Sequence, residues 1–243
     1  MKRIAYPFFA TLFILGSIIN SSSQTLSKEE ILENYFQVIG QDKIVKVQTA
    51  VATGVTIQDS QETSFKQIQK RPDKAYLEIL LPAGEIIKQG YDGVNGWMLA
   101  SWMNTAEPVT LTGPDLKTIQ EVGNIDGDLW NWKEKGHKLI YSGEKDYGDK
   151  KVHLLRLMKT DGDTDELFIG TEDYLLYRMN RVTNINDSPV TVEVLFSDYR
   201  ETDGIMMPFK VEQRFNEIQG MVVEFQEIKF NMAVDDKIFK RPE

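Results

Sequence analysis

The acidic residues around position 161 have the spacing of a calcium-binding loop. Aspartates at alternate positions of segment 161–165, together with Glu172, match positions 1, 3, 5 and 12 of such a loop. The loop also requires glycine at position 6, where this chain has Glu166. The sequence therefore predicts a tight hairpin turn at this place, and we expect no bound metal.

The content of histidine and cysteine restricts the chemistry of the chain further. There is no cysteine, which excludes disulfides, thiol nucleophiles and a lipid attached to an N-terminal cysteine. The histidines, His137 and His153, have neither the i,i+4 helical spacing nor the H-E-x-x-H pattern of a zinc site. Nucleophile-elbow motifs and phosphate-binding loops are also missing from the sequence. We expect no catalytic residue and no cofactor, so the chain is predicted not to be an enzyme.

The hydrophobic content and the net charge limit the kinds of molecule that this protein is expected to bind. Hydrophobic residues make up 41% of the chain, which is too many for a disordered protein. The formal net charge of −9 argues against nucleic acid as a partner, because binding of phosphates requires clustered positive charge.

The N-terminus has the pattern of a cleaved secretory signal. Lys2 and Arg3 precede an apolar stretch, 4–19, which ends at small polar residues that suit a signal peptidase. A membrane anchor is the alternative, but a spanning helix needs about 20 apolar residues. We therefore predict a signal peptide at 1–23, one mature domain at 24–243, and no stable membrane span.

A helix is predicted next, at the start of the mature chain. Ser27 and Glu30 form a capping box, and Gly40 suits the left-handed residue that ends a helix. Apolar residues between Ile31 and Ile39 give the helix a wide apolar stripe, which must pack against other parts of the protein.

From position 47 onward the apolar residues alternate with a period of two, as in β-strands. Short turns rich in Asp and Gly separate these runs, so the strands are expected to pair antiparallel with their sequence neighbours. A phase slip within 221–230 indicates a β-bulge, and apolar residues between Gly113 and Trp132 indicate a second short helix. The predicted fold is mainly β: a single curled antiparallel sheet of about 11 strands that forms an unclosed β-barrel, with the N-terminal amphipathic helix and the short second helix covering or plugging it.

Five segments resemble the LolA/LolB-like outer-membrane lipoprotein-sorting family, in its Bacteroidetes-type form. They are ILENYFQVIGQDKIVKVQTAVATGVT, RPDKAYLEIL, GYDGVNGWML, DGIMMPFKVE and FNMAVDDKIFKRPE, and together they extend over most of the mature chain. The resemblance implies an unclosed β-barrel whose mouth is covered by helices and whose apolar interior binds acyl chains. It also implies a non-enzymatic carrier, located in the periplasm, whose partners are acyl chains or a lipoprotein.

Seven residues are predicted to contact the acyl chain, since alternation places each of them on one face of a strand. A register error of one residue would move all of them to the opposite face, which leaves the choice of face open. The predicted lipid-binding residues are Val51, Val55, Leu77, Ile79, Trp97, Val192 and Val194.

A second hypothesis keeps the same fold and gives it a different function. The protein would be an envelope sensor or scaffold that binds a protein partner transiently through its surface and carries no lipid. The N-terminal helix separates the two hypotheses: in a scaffold it would fill the barrel, whereas in a carrier a cavity of several hundred Å³ would remain, roughly the size of known ligand pockets.

Overall fold

The computed structural model describes residues 26–101, 107–185 and 188–242, and the predicted signal peptide lies outside them. The helices are α1 (Lys28–Ile39), α2 (Gln41–Ile44) and α3 (Gly113–Gly123), and a 3-10 helix spans Asp236–Phe239. The strands are β1 (Thr49–Gln58), β2 (Gln61–Lys70), β3 (Lys74–Leu80), β4 (Ile86–Tyr91), β5 (Gly96–Ala100), β6 (Val109–Thr110), β7 (Lys138–Tyr147), β8 (Lys150–Met158), β9 (Thr164–Gly170), β10 (Leu176–Ile185), β11 (Ser188–Thr202), β12 (Ile205–Phe215) and β13 (Ile218–Phe230).

Helix α1 begins and ends where the sequence predicts. The backbone N–H of Glu30 donates to Ser27 Oγ at 3.2 Å, and the backbone N–H of Ser27 donates to Glu30 Oε2 at 2.8 Å. Gly40 ends the helix in the left-handed region, with φ 73°. Its Cα lies so close to the carbonyl of Gly204 that a side chain at position 40 would clash with it.

The thirteen described strands form one antiparallel sheet that consists of two arms. The first arm runs from β1 outward to β6, the second runs from β13 outward to β7, and the arms meet where β1 pairs with β13. Among the described residues β6 and β7 do not pair with each other, so the barrel is unclosed as predicted. The count of thirteen exceeds the predicted eleven or so, and one strand, β6, is only two residues long and too short for alternation to reveal.

The predicted bulge lies in β13 and is confirmed. Thr53 pairs with Glu227 and the next residue, Gly54, pairs with Phe225, so Gln226 has no partner in β1. This extra residue keeps Phe225 and Ile228 on the same face of the sheet although they are three positions apart.

The two helices cover different arms of the sheet on one face, which we call the cavity face. Helix α1 packs Ile31 and Leu32 against a core that contains Leu155 of β8 and Leu167 of β9, in the second arm. Helix α3, the predicted second short helix, packs Ile119 against Tyr91 and its neighbours in the first arm.

The C-terminal segment packs against the opposite side of the first arm, which we call the outer face. Phe239 is fully buried there against Ile68, Tyr76 and Trp97. The indole Nε1 of Trp97 donates to the carbonyl oxygen of Phe239 at 2.8 Å. The indole ring lies directly over Gly90, where any side chain would collide with it.

A pair of lysines holds the same segment electrostatically. Lys70 and Lys74 lie 2.6 Å and 2.7 Å from the carboxylate of Asp236. Their hydrogen bonds lower the pKa of Asp236 to about 2, so this carboxylate is ionised at neutral and mildly acidic pH.

Removal of the Phe239 side chain tests the contribution of this segment. Phe239→Ala should lower the free energy of unfolding by about 3–5 kcal/mol, because a fully buried aromatic ring is lost and a cavity remains. Urea denaturation followed by tryptophan fluorescence measures the change. Lys240→Ala, at an exposed neighbouring position, is the control and should stay close to the parent protein.

Candidate functional site

A cavity of about 500 Å³ lies between the cavity face of the sheet and the helices that cover it. Its wall combines strands from both arms with α1, α2 and the segment 124–129. Apolar side chains dominate the wall: Tyr35, Phe36, Ile39, Ile44, Val47, Ala50, Ala52, Ile125, Leu129, Leu157, Leu167, Leu176, Met179, Phe196, Tyr199, Ile205, Met206, Met207, Pro208, Phe225, Ile228 and Phe230.

Small residues of β1 form part of the cavity wall. Ala50 and Ala52 face the cavity at the centre of the sheet, where β1 meets β13, and both are buried. Their partners on β13 are large, because Phe230 pairs with Ala50 and Ile228 with Ala52. Alanine opposite a large side chain leaves a hollow along β1 that β13 alone does not fill.

Two tyrosines of the wall keep their hydroxyl protons. Burial raises the pKa of Tyr35 to about 12 and also raises the pKa of Tyr199. The hydroxyl of Tyr199 donates to the carbonyl oxygen of Leu176 at 2.6 Å. Both rings therefore present uncharged surface to the cavity at neutral pH.

Three of the seven predicted lipid-binding residues lie on the outer face. Val51 pairs with Ile68, and Trp97 lies over Gly90 in the group of side chains that packs against the C-terminal segment. Val55 lies four residues further along β1, on the same face as Val51, and pairs with Ser64. The β1 residues on the cavity side are the even-numbered ones, which are less apolar and were not chosen from the sequence.

The other four predicted residues lie on the cavity face but do not line the cavity itself. Leu77 packs beneath α3, and Ile79 follows it on the same face. Val192 pairs with Arg181 and Val194 with Met179, both of which line the cavity. None of the seven is among the residues that line the cavity wall, and their contact with an acyl chain stays a prediction.

A cluster of charged side chains lies at one end of the cavity, where the two arms approach each other. Arg181 of β10 donates to both carboxylate oxygens of Asp165, at 2.6 Å and 3.0 Å, and to Glu121 of α3 at 2.9 Å. Lys159, whose side chain is only 4% exposed, lies 3.3 Å from Asp128 and 3.4 Å from Asp165. Because Glu121 belongs to α3 and Asp165 to β9, the cluster joins the helix on the first arm to strands of the second.

The aspartates with calcium-like spacing belong to the rim of this cluster. Asp161 and Asp163 lie in the turn between β8 and β9, as the hairpin interpretation predicted, and Asp165 is in β9. Lys117 of α3 binds Asp161 at 2.8 Å and Asp163 at 2.7 Å. Burial raises the pKa of Asp161, but hydrogen bonds from Lys117 and from the backbone N–H of Asp163, with the charge of Lys159, outweigh it and lower the pKa to about 2.

Arg71 fixes the parts of the cavity wall that do not belong to the sheet. It forms two hydrogen bonds to Asp126, at 2.6 Å and 2.7 Å, and donates to the carbonyl oxygens of Ile44 and Val47. The hydrogen bond from Arg71 lowers the pKa of Asp126. One guanidinium thus ties α2 and the segment 124–129 to the turn between β2 and β3.

The sequence could have indicated this cluster through charged residues that stand in otherwise apolar rows of strands. Asp165 occupies the same strand face as Leu167 and Ile169, and Arg181 the same face as Met179. A charged residue in an otherwise apolar row must find a partner of opposite charge, since an unpaired buried charge is costly.

The two histidines do not form a site together. His153 is 2% exposed, its Nδ1 lies 3.0 Å from the hydroxyl of Tyr141, and its ring stacks on Tyr174. His137 instead accepts a hydrogen bond from the backbone N–H of Thr160. No group of three potential metal-ligating side chains occurs among the residues that the structure describes.

Comparisons with known proteins identify the architecture. No protein-family model and no curated protein matches the sequence. A DUF1329 family protein from Desulfovibrio piger matches the structure with a TM-score of 0.61 and 15% identity, over 86% of this chain and 97% of its own. A LolA superfamily protein from Nitrosomonas europaea matches with a TM-score of 0.57 and 16% identity, over 89% and 98%. This chain has the LolA-like fold.

A further match has the same fold and is a protein domain named for lipoprotein sorting. It is a putative outer membrane lipoprotein-sorting protein domain from Vibrio parahaemolyticus, with a TM-score of 0.55 and 9% identity, over 84% of this chain and 95% of its own. The resemblance predicted from the five sequence segments is thus confirmed at the level of the fold. No helix within the described ranges is long and apolar enough to cross a membrane.

Loss of Arg181 tests the charged cluster. Arg181→Met leaves Asp165, which is almost fully buried, without its main partner, and should lower the free energy of unfolding by about 3–5 kcal/mol. The double variant Arg181→Met/Asp165→Leu should recover much of that loss, because it removes both charges together. Denaturant unfolding measures both variants. Arg200→Met, which breaks an exposed pair with Asp198, is the control and should change stability little.

His153 predicts a dependence of stability on pH. Burial lowers the pKa of His153 from 6.5, so the unfolded chain takes up a proton that the folded protein resists. The stabilising contribution is complete above pH 6.5 and decreases as the pH falls below it. His153→Phe, which keeps a ring against Tyr174, should flatten the stability profile between about pH 6.5 and pH 5. Equal profiles for the variant and the parent in thermal unfolding would contradict this assignment.

Proposed function

We propose that this protein is a non-enzymatic, periplasmic carrier that holds an acyl chain, free or attached to a lipoprotein, inside the LolA-like barrel. The observation that supports the proposal most directly is the apolar cavity of about 500 Å³. Its volume falls within the range of about 300–1,000 Å³ that is usual for small-molecule sites.

The position of α1 favours a carrier over a filled barrel. The helix packs Ile31 and Leu32 into the core of the second arm and presents Tyr35 and Phe36 at the edge of the cavity. Helix α1 therefore forms part of the cavity wall and does not fill the space next to β1 and β13. A scaffold that acts only through its surface has no use for this space, since an unfilled apolar cavity costs stability.

The apolar side chains of the cavity wall would provide the affinity for an acyl chain. Transfer of an acyl chain from water into an apolar site gains about 0.8 kcal/mol for each methylene group. The aromatic and methionine side chains from β12 and β13 suit a flexible chain, because methionine adapts its shape to irregular contacts. The similarity to the putative lipoprotein-sorting domain from Vibrio parahaemolyticus agrees with a ligand of this class.

Native mass spectrometry of the mature protein, purified from the periplasm, tests the proposal. A stoichiometric acyl-chain adduct is expected, and solvent extraction would then identify it. A protein that is free of lipid, and that stays so after incubation with lipid, would refute the carrier and favour a sensor or scaffold.

A variant that fills the cavity tests the place of binding. Ala52→Phe puts an aromatic ring into the hollow along β1 and should reduce the lipid adduct to a small fraction of that of the parent. Thr53→Phe, on the outer face one residue away, is the matched control and should retain the adduct. Thermal unfolding of both variants establishes that they are folded, and equal adducts in the two would show that lipid binds elsewhere.

A further inference from the structure

The outer face of the second arm carries an aromatic surface that is separate from the cavity. Leu167 and Ile169 of β9 point into the core beneath α1, so the alternating residues Phe168 and Gly170 point to the outer face. The helices pack on the cavity face, and the C-terminal segment covers the outer face of the first arm. Among the described residues, no helix and no terminal segment packs on the outer face of the second arm.

Three rings form this surface, which we call the aromatic platform: Tyr147 at the end of β7, Phe168 of β9 and Tyr177 of β10. The centroid of the Tyr147 ring lies 6.1 Å from that of Tyr177 and 6.2 Å from that of Phe168. All three side chains are partly exposed. Val152 and Gly170, which pair with each other on this face, are both buried, so the rings lie across the sheet and shield it from solvent.

The rings of Tyr147 and Tyr177 are parallel but overlap little. Their planes differ by 7° and their centroids are 6.1 Å apart, so planes separated by about 3.5 Å would be offset laterally by about 5 Å. An offset of this size is close to the width of an aromatic ring, and neither ring then covers the face of the other. The platform therefore presents two flat apolar faces next to each other, in parallel planes.

Hydrogen bonds fix the position of Tyr177 and leave Tyr147 with a free hydroxyl. The hydroxyl of Tyr177 donates to the carboxylate of Asp173 and accepts from Lys150 Nζ at 2.9 Å. Its ring also lies against Gly170, where any side chain would collide with it. A ring held in this way loses little freedom when a ligand stacks on it, which favours binding. Within the described part of the chain, the hydroxyl of Tyr147 makes no hydrogen bond.

The charged side chains next to the platform compensate one another. Lys150 and Asp173 bind the same hydroxyl group. The guanidinium of Arg178 lies 5.1 Å from the centroid of the Phe168 ring and donates to Glu193 at 2.7 Å. Two cations and two carboxylates leave no net charge here, so a neutral ligand that both donates and accepts hydrogen bonds is complementary to this surface. Nucleic-acid bases also stack on tyrosine, but binding of phosphates requires clustered positive charge, which is missing here.

We propose that the aromatic platform binds the sugar rings of a neutral oligosaccharide or glycan strand. A pyranose ring presents C–H bonds that are attracted to the negative face of an aromatic ring, and its hydroxyl groups both donate and accept hydrogen bonds. The two parallel tyrosine faces accommodate two sugar units, whose hydroxyl groups bind Lys150, Asp173 and the free hydroxyl of Tyr147. The site lies on the opposite side of the sheet from the cavity, so it does not depend on the proposed carrier function.

Calorimetric titration of the purified mature protein with three neutral hexasaccharides tests the proposal. The probes are hexa-N-acetylchitohexaose, cellohexaose and maltohexaose, and at least one of them should bind. The corresponding monosaccharide should bind at least about tenfold more weakly, because a single sugar contacts only one of the two tyrosine rings. If none of the three hexasaccharides binds, the proposal is wrong, and the carrier proposal is unaffected.

Replacement of Tyr147 locates the binding. Tyr147→Ala removes one face of the platform and should weaken the binding of the hexasaccharide about tenfold, whereas Tyr147→Phe keeps the face and should stay within about threefold of the parent. Phe215→Ala is the control, because Phe215 is an exposed aromatic residue on the cavity face, and it should bind like the parent. Thermal unfolding establishes that the variants are folded. An unchanged affinity in a folded Tyr147→Ala would show that sugars bind elsewhere.

A surface lysine provides a second test that does not disturb the packing of the rings. Lys150→Met removes a donor next to Tyr177 and should weaken the hexasaccharide about threefold, the effect of one exposed hydrogen bond. Lys151→Met is the matched control, since Lys151 is equally exposed and points to the other side of β8. Equal affinities of the two lysine variants would contradict the placement of the sugar beside Tyr177.

Discussion

The rest of the structure depends on the contact between charged side chains of α3 and those of β9, β10 and the turn between β8 and β9. An unclosed sheet of thirteen strands has two free arms, and hydrogen bonds between strands do not hold those arms at a set distance. The ion pair between Arg181 and Glu121 joins the arms across the gap, and the nearly buried pair between Arg181 and Asp165 within the second arm holds the guanidinium in place for it. Such pairs give little net stability but are costly to break, so they specify geometry more than they add free energy.

The cavity follows from this arrangement. Helix α1 packs its apolar side chains against the second arm and α3 packs its own against the first, while charged side chains of α3 bind the second arm at the end where Lys159 and Arg181 lie. The space between the two helices is bordered by alanines on β1 and by the short connection 124–129, which Arg71 ties to α2. The same salt bridges that define the shape of the barrel also determine the electrostatic character of its polar end.

The fold could be predicted from the sequence to a large extent, and the site only partly. The capping box of α1, the hairpin turns and the bulge in β13 are local signals, and local chemistry is sufficient to read them. The face of a strand is a different problem: β1 alternates Val51 and Val55 with Ala52 and Gly54, and the more apolar set packs beneath the C-terminal segment. A sheet with cover on both faces has no unique apolar side, so alternation alone selected the face of β1 that lies away from the cavity. Trp97 also lies on the outer face, and nothing local in the sequence shows that Phe239 returns to cover it.

The pairing of β1 with β13 has a consequence for the order in which the protein is assembled. Each arm is a succession of hairpins between sequence neighbours, which need only short loops to close. The central seam, in contrast, joins the first strand to the last, so it cannot form before nearly the entire chain has left the ribosome. Contacts of such long sequence separation are slow to form. The two β-meanders can therefore form independently of each other, and the cavity is complete only when β1 pairs with β13.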